Sequence, residues 1–118
     1  MAENSVPGSN LALTIDKTPA EITVHGSGRI TSDTAQDLKT AVRPLFSEAK
    51  NVVLDLTDVS YMDSSGLGAI VSLYVSAKSA GSHLKLINLN ERLKELFSIT
   101  RLGEVMTRGR DPNELILP

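Results

Sequence analysis

The sequence predicts an α/β domain: a mixed sheet of four to five strands with its helices packed mainly on one face. Three observations predict it. Apolar residues alternate at Leu11, Leu13 and Ile15 and again at Ile22 and Val24, a nearly continuous apolar run fills 52–56, and stretches with helical three-and-four spacing separate these from a further apolar run at 84–87. Strands that alternate with helices in so short a chain need right-handed crossovers, which place successive helices on the same side of the sheet.

Taken in order, residues 1–10 carry Ser, Pro, Gly and Asn with little apolar content and are expected to form a flexible tail ahead of a single domain over 11–118. The first two alternating segments form an antiparallel pair, because Lys17-Thr18-Pro19 between them has turn chemistry. His25-Gly26-Ser27-Gly28 reads as a loop or bulge. Thr31 or Ser32 can cap a helix whose inner face is Ala35, Leu38, Val42, Leu45, Phe46 and Ala49, and Pro44 must kink or break it. The run 52–56 suits a central strand covered on both faces.

From 65 to 80 apolar residues fall almost all round a helix, leaving a narrow strip of Gly68, Ala69, Ser72, Ser76 and Ser79, with Gly81 as its stop. Such a helix is either deeply buried or partly covered by a partner. A fourth strand follows at 84–87, and Asn90 can cap a third helix that turns Leu93, Leu96 and Phe97 inward. The sequence then allows an edge strand at 105–107 and a short helix over 111–117 with Pro112 at its first position.

Composition narrows the function. Twelve Lys and Arg against fourteen Asp and Glu give a net charge of −2 without a basic block, and aromatic residues make up 3% of the chain, so nucleic acid is a poor partner. The absence of cysteine excludes disulfides, thiol nucleophiles and thiolate metal sites. His25 and His83 have no ligand spacing, so no metal and no cofactor are expected. The span 67–80 is too short and too serine-rich to cross a bilayer and no signal peptide opens the chain, so a cytoplasmic protein without membrane attachment is expected. Neither a dinucleotide loop nor a nucleophile elbow is present, and the protein is expected not to be an enzyme.

The chemistry gathers at Asp63-Ser64-Ser65-Gly66, where an apolar strand runs into an apolar helix. An acid, two hydroxyls and free N–H groups at a helix start can serve as an ordinary cap, or can accept a phosphate. The carboxyl end of a central strand is also where open α/β sheets carry their ligands.

Val52-Val53-Leu54-Asp55-Leu56 followed by Val59-Ser60-Tyr61-Met62-Asp63-Ser64-Ser65-Gly66-Leu67-Gly68 resembles the STAS domain of bacterial anti-sigma-factor antagonists. Leu84-Lys85-Leu86, Arg92-Leu93-Lys94-Glu95-Leu96-Phe97 and Ile99-Thr100-Arg101-Leu102 extend the resemblance over most of 11–107. It implies a STAS-like fold and a cytoplasmic partner-switching regulator of transcription in a stress response. By that resemblance the unmodified protein would bind an anti-sigma factor that is also a serine kinase and free the sigma factor, and phosphorylation at Ser64 would release it. Asp63, Ser65, Gly66, Leu67, Arg29 and Thr31 would then contact the partner, with Asp63 orienting the hydroxyl, helping to position a kinase-bound metal or simply capping the helix, and Gly66 admitting another backbone. Gly28-Arg29-Ile30-Thr31 stands where many members carry Gly-Glu-Leu-Asp. That reversal of sign at 29 implies either a partner with an acidic patch facing Arg29 or a scaffold that has lost phosphorylation. The alternative function is an unswitched STAS subunit of an assembly such as a lipid-transport ATPase. Sequence leaves the oligomeric state open.

Overall fold

A computed structural model describes residues 10–98 in full, together with the backbone of 2–5, 107–108 and 115–117. The elements are β1 (Ala2–Ser5), β2 (Leu11–Lys17), β3 (Ile22–Ile30), α1 (Ala35–Val42) continued by a 3-10 turn (Arg43–Ser47), β4 (Asn51–Met62), α2 (Ser64–Ser79), β5 (His83–Ile87), α3 (Glu91–Ser98), β6 (Thr107–Arg108) and β7 (Leu115–Leu117). The sheet runs β1-β2-β3-β4-β5-β7-β6. β3, β4 and β5 are parallel neighbours, and the other pairings are antiparallel.

The mixed sheet is thus the expected one around β2, β3, β4 and β5, widened by three short strands. Ala2–Ser5 pairs with β2 where the sequence suggested only a tail. The helix expected over 111–117 is replaced, over Leu115–Leu117, by a strand on β5. The free edge of β5 offers a row of backbone donors and acceptors that an apolar tripeptide satisfies better by pairing than by one isolated helical turn. The expected edge strand is present at Thr107–Arg108, while Val105 and Met106 lie outside the described residues.

Period-two alternation sends Leu11, Leu13 and Ile15 of β2, Ile22 and Val24 of β3, and Val52, Leu54 and Leu56 of β4 to one face, where all are buried. Leu38 and Val42 of α1, Ile70, Leu73 and Ala77 of α2, and Leu93 and Phe97 of α3 join the same cluster. All three helices therefore share one core, and each fully buried Leu contributes about 2 kcal/mol to it. Val53 is also buried but lies outside that cluster, so β4 is covered on its second face more lightly than on its first.

Three local signals behave as their chemistry requires. Pro44 ends α1 at Val42 and turns the chain into the 3-10 segment. Asn90 Oδ1 accepts the Leu93 N–H at 2.9 Å and caps α3. Gly81, at φ +74°, closes α2, with the Ser82 N–H on the Ala77 carbonyl at 2.8 Å and its own N–H on Lys78 at 3.2 Å. The start of α1 differs from expectation: Thr34 holds the cap position and Thr31 belongs to the preceding turn. The Thr34 hydroxyl accepts the Thr31 N–H at 2.9 Å and donates to the Arg29 carbonyl at 2.8 Å, tying the end of β3 to the helix start.

Candidate functional site

β4 delivers the chain to Asp63, whose extended backbone (φ −105°, ψ −170°) makes it the N-cap of α2. Its carboxylate accepts the Gly66 N–H at 3.0 Å, its carbonyl accepts the Leu67 N–H at 3.0 Å, and its own N–H donates to the Ile30 carbonyl at 3.2 Å. The last contact seats the start of α2 against the end of β3. Capping is therefore the role the geometry gives Asp63.

Ser64 and Ser65 follow, both exposed, and neither hydroxyl is hydrogen-bonded to any described residue. They occupy the first two helical positions, where backbone N–H groups have no intrahelical acceptor. An exposed nucleophilic oxygen thus stands beside free donors and the positive end of the helix dipole. A phosphate formed on that oxygen finds partners already in place.

Gly66 is buried for an internal reason. A Cβ there would lie 2.4 Å from the Ile30 carbonyl oxygen and 2.6 Å from Met62 Cγ, so the close-approaching backbone is the chain's own β3. Gly68, two residues on, is exposed, and a Cβ there would meet nothing within 4 Å. Leu67 is half-buried against the edge of the core. Further along, the Ser72 hydroxyl accepts from the Arg43 guanidinium at 3.1 Å, and Val75 is 55% exposed, the large apolar side chain that the described fold leaves uncovered.

Arg29 and Thr31 flank Ile30, so both adjoin the strand end that receives Asp63. Arg29 is exposed with its guanidinium 5.0 Å from the centre of the Tyr61 ring. Thr31 is half-buried, its backbone engaged by Thr34 and Ala35. The structure thus brings Asp63, Ser64, Ser65, Gly66, Arg29 and Thr31 to one end of the sheet, with Gly66 serving the fold.

Sequence reasoning missed a second polar cluster. Parallel pairing sets His25 beside Asp55, and His25 Nδ1 lies 2.8 Å from Asp55 Oδ2. Asp55 also accepts from the Asn88 amide at 2.9 Å, the Thr57 N–H at 3.0 Å and the Thr57 hydroxyl. Burial pushes the Asp55 carboxyl up, but the bonds from Thr57, Asn88 and His25 outweigh it and lower it to about 2. Asn88, at φ +60°, is thereby held in the left-handed turn that links β5 to α3. The one sequence signal for this cluster is the β3–β4 register, which a single strand pattern does not reveal.

Among the described residues no three His, Asp or Glu side chains come together as metal ligands, and no helix is long and apolar enough to cross a membrane.

Comparison with known proteins agrees with this architecture. Residues 12–114 match the family model of the STAS domain. The chain is 37% identical over 97 residues to an anti-sigma-B factor antagonist of Bacillus subtilis, covering 82% of this chain and 89% of that one. It superposes on an anti-sigma factor antagonist from Mycobacterium paratuberculosis with TM-score 0.71 at 20% identity, covering 86% of each chain. It also superposes on the phosphorylated form of the Bacillus cell fate determinant SpoIIAA with TM-score 0.63 at 15% identity, covering 84% of this chain and 92% of that one. The helix-faced mixed sheet, the serine pair opening α2 and the matched span together place this chain in the STAS domain family.

Proposed function

We propose that this protein is an anti-sigma-factor antagonist: unmodified, it binds an anti-sigma factor with serine kinase activity and frees the sigma factor, and phosphorylation of Ser64 Oγ ends the contact. The observation that carries the reading is the Ser64 hydroxyl, exposed and without a hydrogen-bond partner among the described residues at the start of α2. The Bacillus subtilis relative bears that functional name. In this reading the chain is a substrate and regulator in the cytoplasm, not a catalyst, and it needs neither metal nor cofactor of its own.

The chemistry divides between the two proteins. The kinase supplies ATP and the base; Ser64 Oγ gives its proton to that base and takes the γ-phosphoryl group as the bond between that phosphorus and the bridging oxygen breaks and ADP leaves. The product carries about −1.5 to −2 charges at neutral pH. Within the chain these are met by the free N–H groups of the first turn, so the fold tolerates the modification. At the interface a bulky anion beside Asp63 replaces a small neutral hydroxyl, and like-charge crowding with desolvation weakens association. Binding changes far more than stability.

The test is incubation with the cognate kinase and ATP followed by peptide mass spectrometry. Phosphate on Ser64 is the expected result; phosphate only outside residues 63–65 would refute the site. Ser64→Asp should weaken binding of the anti-sigma factor by roughly a hundredfold in calorimetry, a few kcal/mol, with little change in melting temperature. Equal affinity for both chains would contradict the switch.

A further inference from the structure

Arg29 stands at the carboxyl end of β3, directly across from Tyr61 in the parallel ladder to β4. Ile30 and Met62, the next pair, are buried in the core, so alternation turns Arg29 and Tyr61 to the opposite side of the sheet. There the ring holds the exposed guanidinium at 5.0 Å, a contact that offsets part of the entropy lost by fixing a long side chain.

No carboxylate among the described residues neutralises this cation. Lys17 pairs with Glu48 and Lys94 with Glu91, whereas none of the described acids lies within ion-pair distance of Arg29. The neighbouring Asp63 carboxylate is occupied by the Gly66 N–H. An uncompensated, oriented, planar cation is suited to a bidentate carboxylate brought from outside.

Its position decides which outside molecule. The residue after Arg29 receives the Asp63 N–H, so the backbone of Arg29 adjoins the strand end from which α2 and Ser64 start. A protein interface of ordinary size covers about 800 Å² per partner, enough to span both. The Tyr61 ring keeps the charge on the sheet side opposite the core face on which α2 packs, which favours a contact across the interface over one with the chain's own serine.

We propose that Arg29, held on the Tyr61 ring, is the specificity-determining contact for an acidic patch on the anti-sigma factor, which offers a carboxylate to this guanidinium while its kinase site faces Ser64. This rests on the reading of the α2 start as the partner-binding end. It assigns the partner a surface chemistry: negative beside the kinase site, so that the cation steers association and a wrong anti-sigma factor with a basic surface there is repelled.

The test uses the unmodified full chain and the recombinant anti-sigma factor of the same genome, with association followed by stopped flow at low and high salt and without ATP. Arg29→Glu should slow association roughly tenfold at low salt, and the difference should shrink as salt screens the charge. Arg29→Lys should keep most of the rate, and Tyr61→Leu, which frees the guanidinium, should fall between. Melting curves verify that each variant is folded. Wild-type association by Arg29→Glu at low salt would overturn the proposal. So would an effect seen only as a lower melting temperature of the phosphorylated variant, which would assign the guanidinium to phosphate within the chain. Absence of phosphate on Ser64 in the separate mass-spectrometric experiment would defeat the phosphoswitch while leaving these rates to stand. A wild-type chain that does not bind at all would defeat both.

Discussion

The two ends of α2 solve the same problem in opposite ways. At the carboxyl end Gly81 takes a left-handed turn, and the N–H groups of Ala80, Gly81 and Ser82 return to the last carbonyls of the helix. At the amino end one carboxylate meets one N–H, and two exposed serines follow whose hydroxyls find no partner among the described residues. Every helix leaves polar groups unsatisfied at its termini. Here one set is closed within the fold and the other is left open at the surface, which is where chemistry from outside can act. The glycines show the same asymmetry, because Gly66 is required by its own chain whereas nothing in the described fold explains Gly68.

The sharpest way to break this comparison is Gly66→Ala. Its Cβ would force the Ile30 carbonyl or the start of α2 to move, and urea unfolding should show a loss of roughly 3 kcal/mol. An unchanged midpoint would mean that the seat of α2 on β3 is looser than the geometry implies.

A smaller effect comes from acid. The folded Asp55 carboxyl lies near 2 against an ordinary 3.8, so the chain gains stability from it above pH 4 and loses that gain as pH falls through about 2. Unfolding measured along that range should lose about 1 to 2 kcal/mol after allowance for water at the margin of the cluster. Asp55→Asn should flatten that limb of the curve. This separates the saturated carboxylate on β4 from Asp63, whose single side-chain acceptor bond leaves it nearer the open end.

Gly81→Ala should cost about 1 kcal/mol, since space is free around it and the penalty is confined to its positive φ. The smallest effect is expected at Gly68→Ala, which should raise stability by somewhat under 1 kcal/mol because a helix-interior position gains a better helix former in open space. A loss of stability there would show that the open end of α2 is held by contacts the fold does not otherwise reveal.

Local chemistry was legible wherever a residue's own constraint decided the outcome. Pro44 could not continue α1, Asn90 could cap α3, Gly81 could take the left-handed turn, and the 52–56 run suited an inner strand, which the fold extends over Asn51–Met62. The opening of α1 was less legible, because Thr31, Ser32 and Thr34 are all competent caps and the choice depends on the Thr34 hydroxyl reaching the Arg29 carbonyl. The two ends of the chain were misjudged for a related reason. Ala2–Ser5 and Leu115–Leu117 carry weak strand patterns, and only the exposed edges of β2 and β5 make pairing worthwhile.

The sequence by itself determined the alternation of strands and helices, the crossing from β4 into α2 and the serine pair at that crossing, because periodicity, caps and breakers act within a few residues of one another. Tertiary structure alone decided what lies across the sheet: that Gly66 must clear Ile30, that His25 meets Asp55, and that Arg29 rests on Tyr61 instead of on an acid. Those contacts join residues about thirty positions apart, and their existence depends on strand register, which no single stretch of the chain encodes.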